Sequence, residues 1–299
     1  MQILTYSNIP TLHLLSQGKV RDIYEIDQDT LLIVTTDRMS AFDVVLPDPI
    51  PYKGLVLNQI TLFWMDKMQD VTPNHLLATD VADFPASLHL FKDQLEGRSV
   101  LVKKARPLPV ECIVRGYITG SGWSDYQKTG RVSGHQLPVG LQESQQLPEP
   151  LFTPSSKAAA GQHDENISID QAGKVVGPDL LAKVQDISLK IYSKAREYAL
   201  GLDIIIADTK FEFGLQGNDL LLIDEVLTPD SSRFWPRPGY VPGRPQPSFD
   251  KQYLRDWLTK SGWDKKAPGP KLPLDVMEQT RDRYLEAYSK LTGRKLAVP

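Results

Sequence analysis

Apolar and polar positions along the chain follow two periods, and the changes between them mark out its elements. Residues 19–26 and 31–36 are apolar-rich runs on either side of Asp27-Gln28-Asp29, which predicts a β-hairpin. Leu57, Ile60 and Trp64 recur at helical spacing and predict a helix over 56–68. Residues 98–105 (RSVLVKKA) and 110–115 (VECIVR) read as strands interrupted by Pro107 and Pro109. Proline cannot donate to a strand ladder, so this stretch reads as a hinge or crossing between two lobes. From Gly116 to about Ile169 no period persists. A loop region this long is functional or disordered, and Trp123, Tyr126, Phe152, His135 and His163 favour function. Residues 180–200 predict an amphipathic helix ended by Gly201. Residues 204–227 (IIIADTKFEFGLQGNDLLLIDEVL) predict two strands around a Gly217-Asn218 turn. A proline-rich loop over 229–247 and two helical stretches, 250–259 and 275–292, complete the chain.

The 299 residues suit one large domain or two packed lobes. A single cysteine, Cys112, excludes an intramolecular disulfide and a multi-cysteine zinc site. It lies in an apolar strand pattern, where a buried inert thiol is expected rather than a nucleophile. The 34 Lys and Arg against 37 Asp and Glu leave no basic excess, so nucleic acid is not expected as a partner. No apolar run approaches the roughly 20 residues of a membrane helix, and no targeting segment is evident. The expectation is a cytoplasmic protein without a membrane partner, either a monomer or a small homo-oligomer.

The 204–227 hairpin carries the strongest chemical signal. Strand side chains alternate faces, so Asp208, Lys210 and Glu212 share one face. With the turn centred on Asn218, Glu212 falls opposite Asp224 and Glu225 points away. Two carboxylates that close need a proton or a cation between them, and a hard divalent ion such as magnesium suits carboxylate and phosphate oxygens. The competing reading is a hairpin with one solvated charged face. A one-residue slip in register would separate the pair.

Four further clusters stand out. Arg115-Gly-Tyr-Ile-Thr-Gly120-Ser121-Gly122 sets a fixed charge beside a glycine-rich turn, either an anion clamp or an ordinary turn. Gly18-Lys19-Val20-Arg21 opens a strand with two cations, suited to nucleotide phosphates or to a solvated surface. Thr153-Pro-Ser-Ser-Lys157 followed by His163-Asp164-Glu165-Asn166 is a polar loop or a site. Asp230-Ser-Ser-Arg233-Phe-Trp-Pro236 offers another arginine for an anion, or a turn packed by its aromatics.

Taken in order, GKVRDIYE (18–25), TTDRMSAFD (35–43), VECIVRGYITGSGW (110–123), FTPSSKA with HDENIS (152–168), ADTKFEFG (207–214) and IDEVLTPDSSRFW (223–235) resemble the SAICAR synthetase family. The likeness runs from about residue 12 to 290, and the FTPSSKA and HDENIS segments match the longer form found in yeasts and many bacteria.

That resemblance implies an α+β, two-lobed fold, distantly like protein kinases and ATP-grasp enzymes, with ATP between the lobes. It implies a nucleotide-covering β-rich lobe over 1–110 and a substrate and metal lobe over 111–299. The implied activity is ATP- and magnesium-dependent joining of L-aspartate to carboxyaminoimidazole ribonucleotide (CAIR), giving SAICAR, ADP and phosphate through an acyl phosphate. A small-molecule kinase of related architecture is the alternative. By motif position, Glu212 and Asp224 would hold Mg2+. Lys210 would touch the reacting groups with Asp208 beside it, and Lys157 and Asp164 would belong to a catalytic loop. Arg115, Ser121 and Arg233 would bind the CAIR phosphate and its surroundings. Gly18, Lys19, Val20 and Arg21 would cover the ATP phosphates, and adenine would sit near Lys103 and Glu111. Ser40, Asp43 and Lys53 would line the substrate side.

Overall fold

The structure is a computed structural model that describes residues 3–157, 165–249 and 251–297. Its contacts divide the chain into two units: Met1–Asp66 with Asn74–Ala105 and Asp250–Pro299, and Lys67–Pro73 with Arg106–Phe249.

The first unit is built on strands β1 (His13–Gln17), β2 (Arg21–Glu25), β3 (Thr30–Thr35), the small hairpin β4 (Ser40–Ala41) and β5 (Val44–Val45), and helix α1 (Lys53–Lys67). Strand β6 (Leu76–Ala78), the single turn α2 (Lys92–Leu95) and β7 (Ser99–Lys103) follow. Five of these strands form an antiparallel sheet in the order β1-β2-β3-β7-β6. Period-two alternation gives the sheet two packed faces. Tyr24, Leu32, Val34 and Leu101 join Leu4, Ile9, Phe84, Leu88 and Leu95 in one cluster. Ile33, Val100 and Val102 pack on the other side with Leu62 of α1. Helix α1 starts three residues before the predicted 56–68 and buries Leu55, Val56, Leu57, Ile60, Trp64 and Met65. A helix buried on so much of its circumference is a core helix rather than a surface one.

In the second unit, β8 (Arg106–Pro107) and β9 (Val110–Tyr117) lead into helix α3 (Gly120–Thr129). The short strands β10 (Arg131–Val132), β11 (His135–Gln136), β12 (Gln146–Phe152) and β13 (Ser155–Ser156) come next. Helices α4 (Ile169–Val176) and α5 (Pro178–Leu200) then precede β14 (Ile204–Gln216), β15 (Asp219–Ile223) and β16 (Ser232–Pro236). The main sheet runs β12-β9-β14-β15, with β13 added to β9 and both β8 and β16 added to β14. Helix α5 begins with Pro178 at its first position, where a missing N–H costs nothing, and ends before Gly201 as expected. It packs on β14 and β9 and buries Val184, Ile191, Ala195 and Ala199. The hydroxyl of Tyr192 on this helix donates to the Ile206 carbonyl at 2.7 Å. A Cβ at residue 116 would overlap that hydroxyl, which is why the site strand carries Gly116 there.

Four expectations change. The Gly120–Gly122 stretch is not a turn but the first turn of α3, and the proline-rich 229–247 segment contains strand β16. The β14–β15 register pairs Gln216 with Asp219, so the turn is Gly217–Asn218 and Glu212 lies opposite Ile223, not Asp224. Asp224 follows the end of β15 with φ +61°, a left-handed backbone that takes it out of strand alternation. The boundary between units falls at Ala105/Arg106, and the chain's last stretch groups with the first unit rather than the second. That stretch contains α6 (Gln252–Lys260) and α7 (Leu274–Thr292). Helix α7 turns Tyr284 onto Lys53 and Met39, and the preceding segment ties Leu272 N–H to Asp48 at 2.7 Å. No helix among the described residues is long and apolar enough to cross a membrane.

Candidate active site

One strand organises the polar groups of the second unit. At Asp208, β14 is flanked on both sides: Asp208 pairs in register with Arg115 of β9 and with Arg233 of β16. Directly opposite residues share a face, so the three side chains meet without any loop to arrange them. Asp208 Oδ2 accepts from Arg115 Nη1 at 3.1 Å and from Arg233 Nη1. The two arginines expected to converge on an anion do converge, and the anion they share in this structure is the Asp208 carboxylate.

The arginines differ in what remains available. The Arg115 side chain is 2% exposed and its donors are widely engaged. Nε donates to Thr153 Oγ1 at 3.0 Å, and Nη2 donates to Ser121 Oγ at 3.0 Å and to Asn166 Oδ1 at 3.3 Å. Burial pulls the Arg115 proton affinity down, the Asp208 charge opposes that, and the Arg233 charge adds to it. Arg233 is 28% exposed and crosses the start of α3. Gly120 there has φ +57°, and a Cβ on it would run into the Arg233 guanidinium. Gly120 and Gly122 therefore make room for Arg233 and Arg115, besides opening a helix whose N-terminal amides suit an anion.

Two residues further along the same face, Lys210 Nζ donates to Glu111 Oε1 at 2.5 Å, and Ser155 Oγ donates to Glu111 Oε2 at 3.2 Å. Glu212 comes next and accepts from Lys157. Burial works against the Lys210 charge, but Glu111, then Glu212 and Glu225, outweigh it and raise its pKa above the usual lysine range. Glu225, expected to point away, is therefore close enough to act on Lys210 and also accepts from Thr228 Oγ1. The face carries alternating charge: two arginines around one aspartate, then two lysines among acids. Its reverse side is apolar, with Phe211 paired to Cys112. The Cys112 thiol is buried, and burial first, then the Glu212 and Glu111 charges, pushes its pKa up, as an inert thiol requires.

The first-unit candidates are placed separately. Gly18 to Arg21 form the tight turn between β1 and β2, and the Lys19 ammonium pairs with Asp43. Phe42 and Asp43 are consecutive left-handed residues at the tip of the β4–β5 hairpin, with Ser40 buried on β4. Lys103 ends β7. Lys53 is wholly buried, with its ammonium over the Tyr284 ring, so its side chain belongs to the interior of the unit. Asp164, expected beside Lys157 in a catalytic loop, lies outside the described residues.

Asp125 was not among the expected site residues, and Thr153 and Asn166 were expected only as members of a polar cluster, without roles of their own. Asn166 bridges the site, accepting from Arg115 through Oδ1 and donating to Asp125 Oδ2 at 2.7 Å. Ser121 and Asp125 are four apart on α3 and so share a helix face. Reading 120–122 as a turn concealed that spacing. Among the described residues there is no group of three or more His, Cys, Asp or Glu arranged to hold a metal.

The arrangement has counterparts of known identity. A profile of the SAICAR synthetase family matches residues 14–270. The phosphoribosylaminoimidazole-succinocarboxamide synthase of Maridesulfovibrio salexigens is 62% identical over 290 residues, 97% of each chain. That of Geotalea uraniireducens is 58% identical over 293 residues, 98% of this chain and 99% of its own. The solved SAICAR synthase of Saccharomyces cerevisiae, complexed with SAICAR, superposes with TM-score 0.91 at 48% identity, covering 99% of this chain and all of its own.

Proposed function

The chain belongs to the SAICAR synthetase family, and from that premise we propose which of its residues carry each part of the reaction. The reaction is an ATP-dependent ligation in purine biosynthesis that joins L-aspartate to the carboxylate of CAIR. The kinase alternative is not favoured.

A carboxylate is a poor acyl donor because its leaving group would be oxide. Phosphorylation makes it an acyl phosphate that an amine can attack, and phosphoryl transfer is mainly positioning and charge neutralisation. The observation that carries the assignment is the single face of β14, where Asp208, Lys210 and Glu212 follow one another with Arg115 and Arg233 gathered at one end. Arg233 and Ser121 bind the ribonucleotide phosphate. Arg115, already committed to Asp208, Thr153, Ser121 and Asn166, holds that end of the site in shape. Lys210 sits at the reacting groups as a fixed cation, with Glu111 keeping it charged. Lys157, paired with Glu212 here, is the second cation.

Magnesium fits the chemistry of the acids. Glu212 is 19% exposed and already holds a cation, the Lys157 ammonium. Glu212 and Asp224 would supply hard oxygen ligands, leaving other positions to phosphate oxygens and water, and the ion would neutralise charge on the transferred phosphoryl group. Asp224 would reach the ion through its left-handed backbone, not through alternation along β15. Asp224→Asn is expected to raise the magnesium concentration for half-maximal rate several-fold with unchanged circular dichroism. An unaltered magnesium dependence removes Asp224 from the set.

The proposal extends to ATP contacts from Gly18, Lys19, Val20, Arg21 and Lys103 of the first unit. It also keeps the fold's distant likeness to protein kinases and ATP-grasp enzymes, a cytoplasmic location and a monomeric or small homo-oligomeric state. Its test is isotopic. With oxygen-18 in the CAIR carboxylate, one labelled oxygen is expected in the released phosphate. Retention of all label in the organic product rules out the acyl phosphate.

A further inference from the structure

The turn joining β1 to β2 is held from beneath by groups that no surface turn needs for its own folding. Gly18 N–H donates to the Arg21 carbonyl at 2.8 Å and closes the turn with Lys19 and Val20 at its tip. The Val20 carbonyl accepts two bonds from Thr36, from its N–H at 2.9 Å and from its Oγ1 at 2.6 Å. The Gly18 carbonyl accepts from Arg38 Nη2 at 2.8 Å. Arg38 is buried and anchored in turn: Nη2 also meets Asp22 Oδ1 at 2.9 Å, Nη1 donates to the Thr5 carbonyl at 2.6 Å, and the Tyr6 ring lies 4.8 Å from the guanidinium carbon. Asp22 is buried too and accepts from the N–H and Oγ of Ser7, each at 2.8 Å.

Exposed carbonyls at a turn are satisfied by water at little cost, so burying an arginine to hold one requires another reason. Geometry supplies it. A trans peptide points its C=O and N–H in opposite directions. Fixing the Gly18 carbonyl on Arg38 therefore turns the Lys19 N–H away from the buried network, on the same residue that carries an exposed ammonium.

We propose that Thr36 and Arg38 are positioning residues for nucleotide binding: they fix the carbonyls of Val20 and Gly18 so that the Lys19 amide and ammonium are presented to the phosphates of ATP. This rests on the reading that the Gly18–Arg21 turn covers ATP. Neither residue touches substrate; both act through the turn.

The decisive variants are Thr36→Val, which keeps shape and removes one hydrogen bond, and Thr36→Ser, which restores the hydroxyl. The loss of that bond corresponds to about a two- to tenfold rise in the KM for ATP. The KM values for CAIR and aspartate are expected to stay at the wild-type level, and Thr36→Ser is expected to recover most of the ATP effect. Arg38→Lys keeps the charge beside Asp22 but cannot span Thr5, Gly18 and Asp22, so the same selective rise is expected, larger. A Thr36→Val enzyme with wild-type KM for ATP, or with all three KM values raised alike, overturns the proposal. Lys19→Ala tests the underlying reading separately. An unchanged KM for ATP in that variant overturns the turn's role as an ATP cover. Faster hydrogen exchange of the Lys19 amide in Thr36→Val would then still uphold the positioning of the turn.

Discussion

Asp208→Asn is expected to remove most activity and to lower the melting temperature in the same step. The two losses share one cause. Asp208 is the carboxylate on which Arg115 and Arg233 meet, and the Arg115 side chain is 2% exposed. Removing one partner of a buried ion pair leaves an uncompensated charge and costs about 3–5 kcal/mol. For a chain of this size that is a fall of roughly 10 °C. An amide in place of the carboxylate also lets the guanidiniums repel each other, so the cradle at the start of α3 loses its shape. The kcat/KM for CAIR is expected to fall about 100-fold or more, with a smaller effect on the KM for ATP. Thermal unfolding and initial rates with each substrate varied separately check both parts. A melting temperature within a degree of wild type would show that Arg115 does not depend on Asp208. A larger loss for ATP than for CAIR would exchange the two pockets.

How much of this was legible beforehand depended on whether the determining contact was local. The hairpin at 204–223, helix α5 and helix α1 all follow from spacing, because period and end signals act within a few residues. The register of the hairpin did not. Centring the turn on Asn218 instead of on the Gly217–Asn218 pair shifts the partner of Glu212 by one residue, and one residue reverses the face. The left-handed backbone at Asp224 is equally hard to foresee, since aspartate tolerates that region without announcing it. The site is legible only in part for a second reason. Arg115 and Asp208 are 93 residues apart, and they meet because β9 and β16 both lie beside β14. Strand order is a long-range property that neither period nor composition encodes. The family resemblance grouped Arg115 with Arg233 and set Asp208 beside Lys210 instead, so the ion pairing of both arginines with Asp208 emerged only from the strand order. Thr153 and Asn166 entered through the same network. The tail shows the same limit: the apolar stripe of α7 predicts a helix, while the unit it completes is decided by where Tyr284 finds Met39 and Lys53.

Lys210→Met is expected to lower kcat by about two to three orders of magnitude while leaving the fold in place. Removing a single preorganised electrostatic donor at a charge-developing centre has an effect of about that size. The pH dependence separates this role from that of a base. Burial favours a neutral lysine, yet Glu111, Glu212 and Glu225 together raise its pKa above the usual lysine value of 10.5. A lysine whose folded pKa exceeds its unfolded one contributes stability that is complete below the unfolded value and is lost as pH rises through the folded value. Lys210 therefore remains an ammonium throughout any ordinary assay, and it cannot take the proton from the aspartate amine. Glu111→Gln removes the largest influence that raises the Lys210 pKa. In that variant Lys210 loses its proton at lower pH than in the wild type. The alkaline fall in kcat is then expected to begin at lower pH, and Lys210→Arg, which cannot deprotonate in that range, is expected to abolish the shift when combined with Glu111→Gln. A Glu111→Gln profile superimposable on wild type would mean that Glu111 does not hold Lys210 charged, and the short contact between them would carry no catalytic weight.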